Sequence, residues 1–318
     1  MIVRKYIYIV QVTRQLSIDI INNFAEKGDE IELITGIVES SYQPLNPKIK
    51  VTSLIKYNNT SNSGRLFSSL IFTLFCFFIL LFRSKKKELI LVTTPPFIIF
   101  CGSILKKLFN IKYHLIIWDL YPDVLIKLGT VKEHSFINKL WTKWNKICFS
   151  NASTIFTIGH YLSIAIKKYT DKNPIIISNW ANSDFVKPTD KKTNQFAIQY
   201  NLTDKFTVMY SGNWGLTHNL EAIVLTAEKL KHNSHIQFVI IGDGAKRSII
   251  ELMIKEKKLT NILLLPYQDK KTLPASLSSA DVAIISLSEG AEDVSVPSKT
   301  YSSLSAGSVI LALASEKS

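Results

Sequence analysis

Apolar residues in this chain fall into two patterns: short β-branched runs, and longer stretches where they recur every three or four positions. The first pattern suits strands covered on both faces, and the second suits helices that pack by one stripe. In the first half, "YIYIVQV" (6–12), "EIELITG" (30–36), "ELILVTT" (88–94), "YHLIIWD" (113–119), "TIFTIG" (154–159) and "PIIISN" (174–179) predict strands. Helices are expected between most of them, including 134–149 and 160–169. A polar stretch beginning "KPTDKKTNQ" interrupts the rhythm, which then resumes with "FTVMYSG" (206–212), "IQFVIIGDG" (236–244), "NILLLPY" (261–267), "DVAIISLS" (281–288) and "VILALA" (309–314). Helices are expected at 218–231, 245–258, 272–279 and 297–306. Strands alternating with helices predict an α/β fold with parallel sheets. The organisation read from this is a domain over 1–186, a linker over 187–200 and a second domain over 201–318.

"RLFSSLIFTLFCFFILLFRSKKK" (65–87) departs from that alternation. Leu66 to Phe82 are 17 residues without a charge, with Arg65 before them and Arg83, Lys85, Lys86 and Lys87 after. As a helix this apolar run, at 66–82, measures about 25 Å, short of a hydrocarbon core of roughly 30 Å. A crossing would also separate the first two strands from their sheet. Two readings stand side by side: a helix lying in the membrane interface with its basic tail on anionic headgroups, or a buried helix of the sheet's outer layer.

Composition narrows the classes. Hydrophobic residues make up 47% of the 318 positions and charged residues 20%, enough for two cores and too little charge for disorder. Cys76, Cys101 and Cys148 are too few and too scattered for a disulfide framework or a metal site, and fit a reducing cytosol. The net charge of +13 is lopsided: residues 1–185 hold 23 Lys and Arg against 12 Asp and Glu, and the remainder 15 against 13. An anionic partner is therefore expected at the first half. The basic residues are not interleaved with aromatics on a stacking surface, which disfavours nucleic acid.

Candidate chemistry sits at three strand-to-helix turns of the second half. "YSGNWGLTHNL" (210–220) places Gly212, Asn213 and Gly215 after a strand, with Thr217 a candidate helix cap. "IIGDGAKRS" (240–248) has Gly242 and Gly244, then Lys246 and Arg247. Such turns bring backbone amides and a helix start to a phosphate, or are plain tight turns, about equally often. "EGAEDVSVPSKTYSSLSAG" (289–307) is more telling. Pro297 suits a first helical position. Ser298 and Lys299 follow, and a cation in a first turn opposes the helix dipole, so an anion is expected beside it. Glu289, Glu292 and Asp293 are acceptors suited to sugar hydroxyls. The alternative is a solvated acidic loop with an exposed lysine.

These segments, with "SGNWG", "VIIGDGAKR" and "LLPYQDKKTLPASLSSADVAIISL", resemble in order and spacing the second domain of GT-B glycosyltransferases of family 4. The likeness is nearest to the bacterial surface-polysaccharide subgroup that includes fucosamine-type transferases. "VTTPP" (92–96), "WDLYPDV" (118–124) and "SNWAN" (178–182) resemble that subgroup's first-domain loops. The resemblance implies two Rossmann-like domains and an anomer-retaining transfer without metal or other cofactor. The donor is a nucleoside-diphosphate sugar (UDP or GDP), and the acceptor a lipid-linked saccharide at the inner face of the plasma membrane. It implies Glu292 or Glu289 on the donor sugar and Lys299 on the diphosphate. Gly212, Asn213, Gly215, Gly244, Ser298 and Ser302 line the donor, with Arg247 a phosphate candidate on charge alone. Asp119 is a candidate to orient or deprotonate the acceptor hydroxyl, or else the N-cap of the "LYPDV" turn. Ser302 stands where the family commonly has glutamate, and Val309 where it has proline. The family pattern continues for further βα units, so the second domain is expected to be incomplete. The competing readings are a sugar-nucleotide 2-epimerase, for which the acid–histidine constellation is missing, and a non-catalytic fragment binding a membrane or a partner.

Overall fold

The computed structural model describes residues 3–58, 60–83, 85–127, 129–215, 218–286 and 296–314. Two units divide the chain, which passes from one to the other between Ser178 and Asn179. In order, the first unit contains β1 (Lys5–Ile9), β2 (Val12–Thr13), α1 (Gln15–Glu26), β3 (Glu30–Thr35), β4 (Ile37–Val38), β5 (Lys50–Ser53), α2 (Asn62–Arg83), β6 (Glu88–Val92) and α3 (Ile98–Phe109). β7 (Tyr113–Ile117), α4 (Asp123–Lys127), α5 (Phe136–Asn151), β8 (Thr154–Thr157), α6 (His160–Ile166) and β9 (Ile175–Ile176) complete it. The second contains α7 (Gln195–Gln199), β10 (Phe206–Ser211), α8 (Leu220–Lys229), β11 (Ile236–Ile241), α9 (Arg247–Glu256), β12 (Ile262–Leu265), α10 (Leu273–Ser278), β13 (Val282–Ser286), α11 (Lys299–Ser305) and β14 (Val309–Leu313).

In the first unit seven parallel strands run in the order β5-β3-β1-β6-β7-β8-β9, and β2 and β4 pair separately. β1 is fully dressed by apolar side chains: Tyr6, Tyr8 and Val10 join Ile21 of α1 in one core, and Ile7 and Ile9 are buried as well. The edge strand β5 (KVTS) carries no such run, which is why its sequence gave no strand signal, and polar edges resist pairing with other chains. α3 packs between α2 and α5, so the three helices form one layer; right-handed crossovers, the rule for parallel sheets, put such a layer on the face opposite α1.

α2 has a buried side and an exposed side. Ser68, Ser69, Phe72, Cys76 and Leu80 form a buried stripe, while Phe67, Leu70, Leu74, Phe75, Phe78 and Phe82 are exposed. The buried stripe is pinned: the Gln11 amide donates to Ser68 O at 3.0 Å, and Ser69 Oγ donates back to Gln11 Oε1 at 3.3 Å. Arg83 at the other end donates to Thr52 of β5 at 2.8 Å. The helix is long and apolar enough to cross a bilayer by length and composition. Yet β1 pairs with both β3 and β6, so the strands before and after α2 share one sheet.

The second unit has five parallel strands in the order β12-β11-β10-β13-β14. Its core joins Tyr210, Trp214, Leu220, Val224, Phe238, Ile240 and Ile250. The segment expected as a linker carries α7, whose Phe196 and Ala197 pack on Met209 and Val239 in a second cluster. Asn194 caps this helix, accepting from Phe196 N and Ala197 N, and donates to Ala275 O at 2.8 Å. Polar composition at 187–200 thus hides an anchored first turn of the second unit. In both sheets the strand order reverses at the first strand of the unit, beside β1 and beside β10. Crevices outside the carboxyl ends of strands at such reversals are where open α/β sheets bind ligands.

Candidate functional site

The reversal in the second sheet lies between β10 and β13. At its carboxyl end the chain turns sharply: Gly212 has φ +143°, and Trp214 folds back into the core, its indole N–H on Ile241 O. The turn after β11 locks onto this one. A Cβ on Gly242 would stand 1.9 Å from Gly212 O, and one on Gly244 would stand 2.7 Å from Trp214 O. These two glycines are required by turn-on-turn packing, a simpler reason than the phosphate approach read from the sequence. Gly212 serves differently. A Cβ there would meet Lys299 Nζ at 2.6 Å, so its bare backbone is what lets the lysine cross the turn.

Lys299 is the first residue of α11, with Ser298 as N-cap. Pro297 therefore precedes the cap instead of occupying the first helical position; its carbonyl accepts from Thr300 N at 3.2 Å. The lysine turns back over the carboxyl end of β10. Its Nζ donates to Tyr210 Oη at 2.8 Å and lies 4.1 Å from that ring's centroid. Tyr210 Oη in turn donates to Asn213 O at 2.6 Å. Among the described residues no carboxylate pairs with Lys299, and burial lowers its pKa to about 8. A half-buried cation without a counter-charge is costly unless an anion completes it.

His218 frames the same spot, its ring 6.0 Å from that of Tyr210. Its Nδ1 lies 2.9 Å from Ser286 O, and because a carbonyl only accepts, Nδ1 carries the proton and Nε2 is the bare nitrogen. Burial, with Lys299 and Lys246 nearby, lowers its pKa and keeps it neutral. Asn219 caps α8 by accepting from Ala222 N, and Asn219 N donates to Ser286 Oγ at 2.8 Å. Lys246 is spent on structure: it pairs with Glu221 at 2.8 Å and donates to His218 O at 2.8 Å. Arg247 is held by Asp243 at 3.3 Å and Glu251 at 2.8 Å, its guanidinium 6.0 Å from the Trp214 ring. Such exposed pairs are weak, so Arg247 is less committed than Lys246.

The structure thus gathers Gly212, Asn213, Gly244 and Lys299 around one turn, and adds Tyr210 and His218, which the sequence reading missed. Gly215 packs against Asn213, Ser298 is exposed, and Ser302 sits half-buried inside α11. Glu289, Glu292, Asp293 and Thr217 lie outside the described residues. Among the described residues no cluster of three His, Cys, Asp or Glu is placed to hold a metal.

In the first unit, Asp119 follows β7 at the carboxyl edge of the sheet, one strand from the reversal beside β1. Trp118 N donates to Thr93 Oγ1 at 3.3 Å, fixing the loop to the end of β6. Burial raises the Asp119 carboxyl to about 6. Tyr121 lies within electrostatic reach of Asp119, Tyr57 and Arg65, and its phenol is likewise pushed up, chiefly by burial.

Against known proteins, residues 191–294 match the sequence model of "Glycosyl transferases group 1". A Pseudomonas aeruginosa protein named "Probable glycosyltransferase WbjE" is 28% identical over 80% of this chain and 65% of its own length. A protein of Escherichia coli strain K12 named "Putative colanic acid biosynthesis glycosyl transferase WcaI" is 28% identical over 71% of this chain and 57% of its own length. The chain therefore spans less than two thirds of either relative. Among solved structures, HepE of Anabaena in complex with UDP and glucose superposes with a TM-score of 0.68 at 10% identity, covering 97% of this chain and 80% of that one. Over residues 191–294 the chain carries the sequence pattern of the group 1 glycosyl transferases, and its two parallel-sheet units have the GT-B fold.

Proposed function

We propose that this chain is the core of a retaining, family 4 glycosyltransferase of surface-polysaccharide synthesis. It moves a sugar from a UDP- or GDP-sugar to a lipid-linked saccharide on an anionic membrane surface at the cytoplasmic face. The observation that carries this is Lys299, a half-buried cation without a described counter-charge at the strand-order reversal of the second sheet. A diphosphate supplies the missing anion: it accepts from Nζ, and Tyr210 holds the ammonium from the other side. The leaving nucleoside diphosphate gains charge as the sugar departs, so a fixed cation there lowers the barrier as well as binding substrate. Asn213 belongs to the same turn. Glu292 and Glu289 take the sugar hydroxyls, and Arg247 is a reserve phosphate contact.

Asp119 takes the acceptor side. With a pKa of about 6 it is ionised at neutral pH and basic enough to receive a hydroxyl proton. The group 1 match and the UDP and glucose held by the HepE fold neighbour support the donor half of this reading. The exposed apolar side of α2 with its basic tail supports the membrane half. Isothermal titration with UDP and GDP tests the donor site. Binding by one nucleotide that is lost in Lys299→Met is expected, and no binding of either by the intact chain overturns the reading. Transfer from a radiolabelled nucleotide sugar to a lipid-diphosphate sugar tests the reaction.

A further inference from the structure

α5 is amphipathic the wrong way round for a helix that packs only on its own sheet. Its buried positions include Asn138 and Asn145, while Phe136, Ile137, Leu140, Trp144 and Ile147 are exposed. Each asparagine amide donates inside, Asn138 to Glu133 O and Asn145 to Tyr121 O, while Asn145 Oδ1 is buried without a hydrogen-bond partner among the described residues. Between α5 and α3 opens a cavity of about 390 Å³ walled by Phe97, Phe100, Ile104, Leu140, Trp141 and Trp144. Phe136 (78% exposed) and Ile137 (62%) stand at its rim. An aromatic wall this open to water marks an interaction site. Trp141, in that wall, has its indole N–H buried without an acceptor among the described residues.

Charge states what the occupant is. α2, α3 and α5 contain no aspartate or glutamate, and carry Arg65, Arg83, Lys106, Lys107, Lys139, Lys143 and Lys146. An acid-free layer of seven cations calls for an anionic occupant. A layer with aromatic and aliphatic side chains outward, flanked by lysines and arginines, is the pattern of a helix lying on anionic lipid. We infer that the α3–α5 slot receives a hydrocarbon chain of an anionic membrane lipid, making α5 a second membrane contact beside α2. The aromatic walls take the methylenes, and Lys139, Lys143 and Lys146 take the headgroup charge.

The test uses the full chain with vesicles of phosphatidylcholine alone or mixed with phosphatidylglycerol, in the absence of nucleotide. Binding to the anionic vesicles is expected, with tryptophan emission quenched by acyl chains brominated near the headgroup. Trp141→Phe/Trp144→Phe should keep the binding and lose most of the quenching. Ile137→Glu, at an exposed rim position, should weaken binding at least tenfold with an unchanged melting temperature. Lys139→Ser/Lys143→Ser/Lys146→Ser should reduce the preference for anionic vesicles without abolishing it, because Arg83, Lys85, Lys86 and Lys87 at the end of α2 remain. Vesicle binding that persists undiminished in Ile137→Glu, or that occurs without quenching assigned to Trp141 and Trp144, would leave α2 as the contact and overturn the inference. Because no nucleotide enters the experiment, its failure is separate from any failure of the donor reading.

Discussion

Among the described residues Lys299 holds its charge against a phenol and the face of its ring, and the consequences run in opposite directions for binding and for stability. Replacing it with methionine removes the cation that a diphosphate needs, and nucleotide affinity should fall roughly 30- to 150-fold, the worth of a charge-assisted contact of about 2–3 kcal/mol. The same change removes a desolvated charge, so the melting temperature of the ligand-free chain should rise by a few degrees. A simple structural lysine would instead lower it. The sign with pH follows: with a folded pKa near 8 against an ordinary 10.5, the unfolded chain holds more protons between those values. Lys299 therefore costs stability below pH 8, and that cost fades as pH rises towards 10.5. Nucleotide affinity, which needs the ammonium, should be flat below pH 8 and weaken about tenfold per unit above it; a titration series at pH 7 to 10 reads this directly. Asp119 predicts the opposite limb: kcat/KM rising with pH through about 6 and flat above, with Asp119→Asn removing that limb and most of the rate. Lysine 299 was legible because a cation in a first helical turn contradicts the dipole. Tyr210 and His218 were not, since Tyr210 meets Lys299 across 89 residues and only the β10–β13 pairing brings them together.

At the scale of elements, the glycine turns and α2 show where pattern reading succeeds and where it stops. Strand positions followed from β-branched runs, yet the role of Gly242 did not, because its constraint is another turn's carbonyl. Gly242→Ala would force a methyl to within 1.9 Å of Gly212 O at φ +133°, and should cost more than about 2 kcal/mol, read as a large drop in denaturation midpoint. Gly28, at φ +85° with open space around its Cβ position, should lose only about 1 kcal/mol as alanine, which makes it a control. α2 predicts a similar split. Phe72 is buried and Phe78 is half exposed. Phe72→Ala should cost roughly 3–5 kcal/mol, whereas Phe78→Ser should leave stability nearly unchanged and raise solubility. Composition alone could not tell these two phenylalanines apart, for the whole helix is apolar; the sheet beneath Ser68, Phe72, Cys76 and Leu80 makes the distinction. The segment at 187–200 was opaque for the converse reason, its anchors Asn194 and Phe196 lying in a charged stretch.

Across the whole molecule the charge is partitioned as the sheets are: 23 Lys and Arg against 12 Asp and Glu in residues 1–185, nearly balanced thereafter. That asymmetry was plain in the sequence, but its meaning depends on placement, since lysines scattered over a surface only aid solubility. The layer of α2, α3 and α5 concentrates seven cations without an acid beside exposed phenylalanines, leucines and tryptophans. Lipid attraction should therefore have two components that salt separates. Headgroup attraction is screened within a Debye length that shrinks from about 10 Å at 0.1 M to about 3 Å at 1 M salt, while burial of apolar side chains is not weakened. Partition of the chain onto phosphatidylglycerol vesicles should fall at least tenfold over that range and then level off above the value for neutral vesicles at low salt. A binding curve that falls to nothing would mean charge alone holds the protein at the surface. One that ignores salt would mean the lysines are merely solvated, and the basic first unit would then need another anion to explain it.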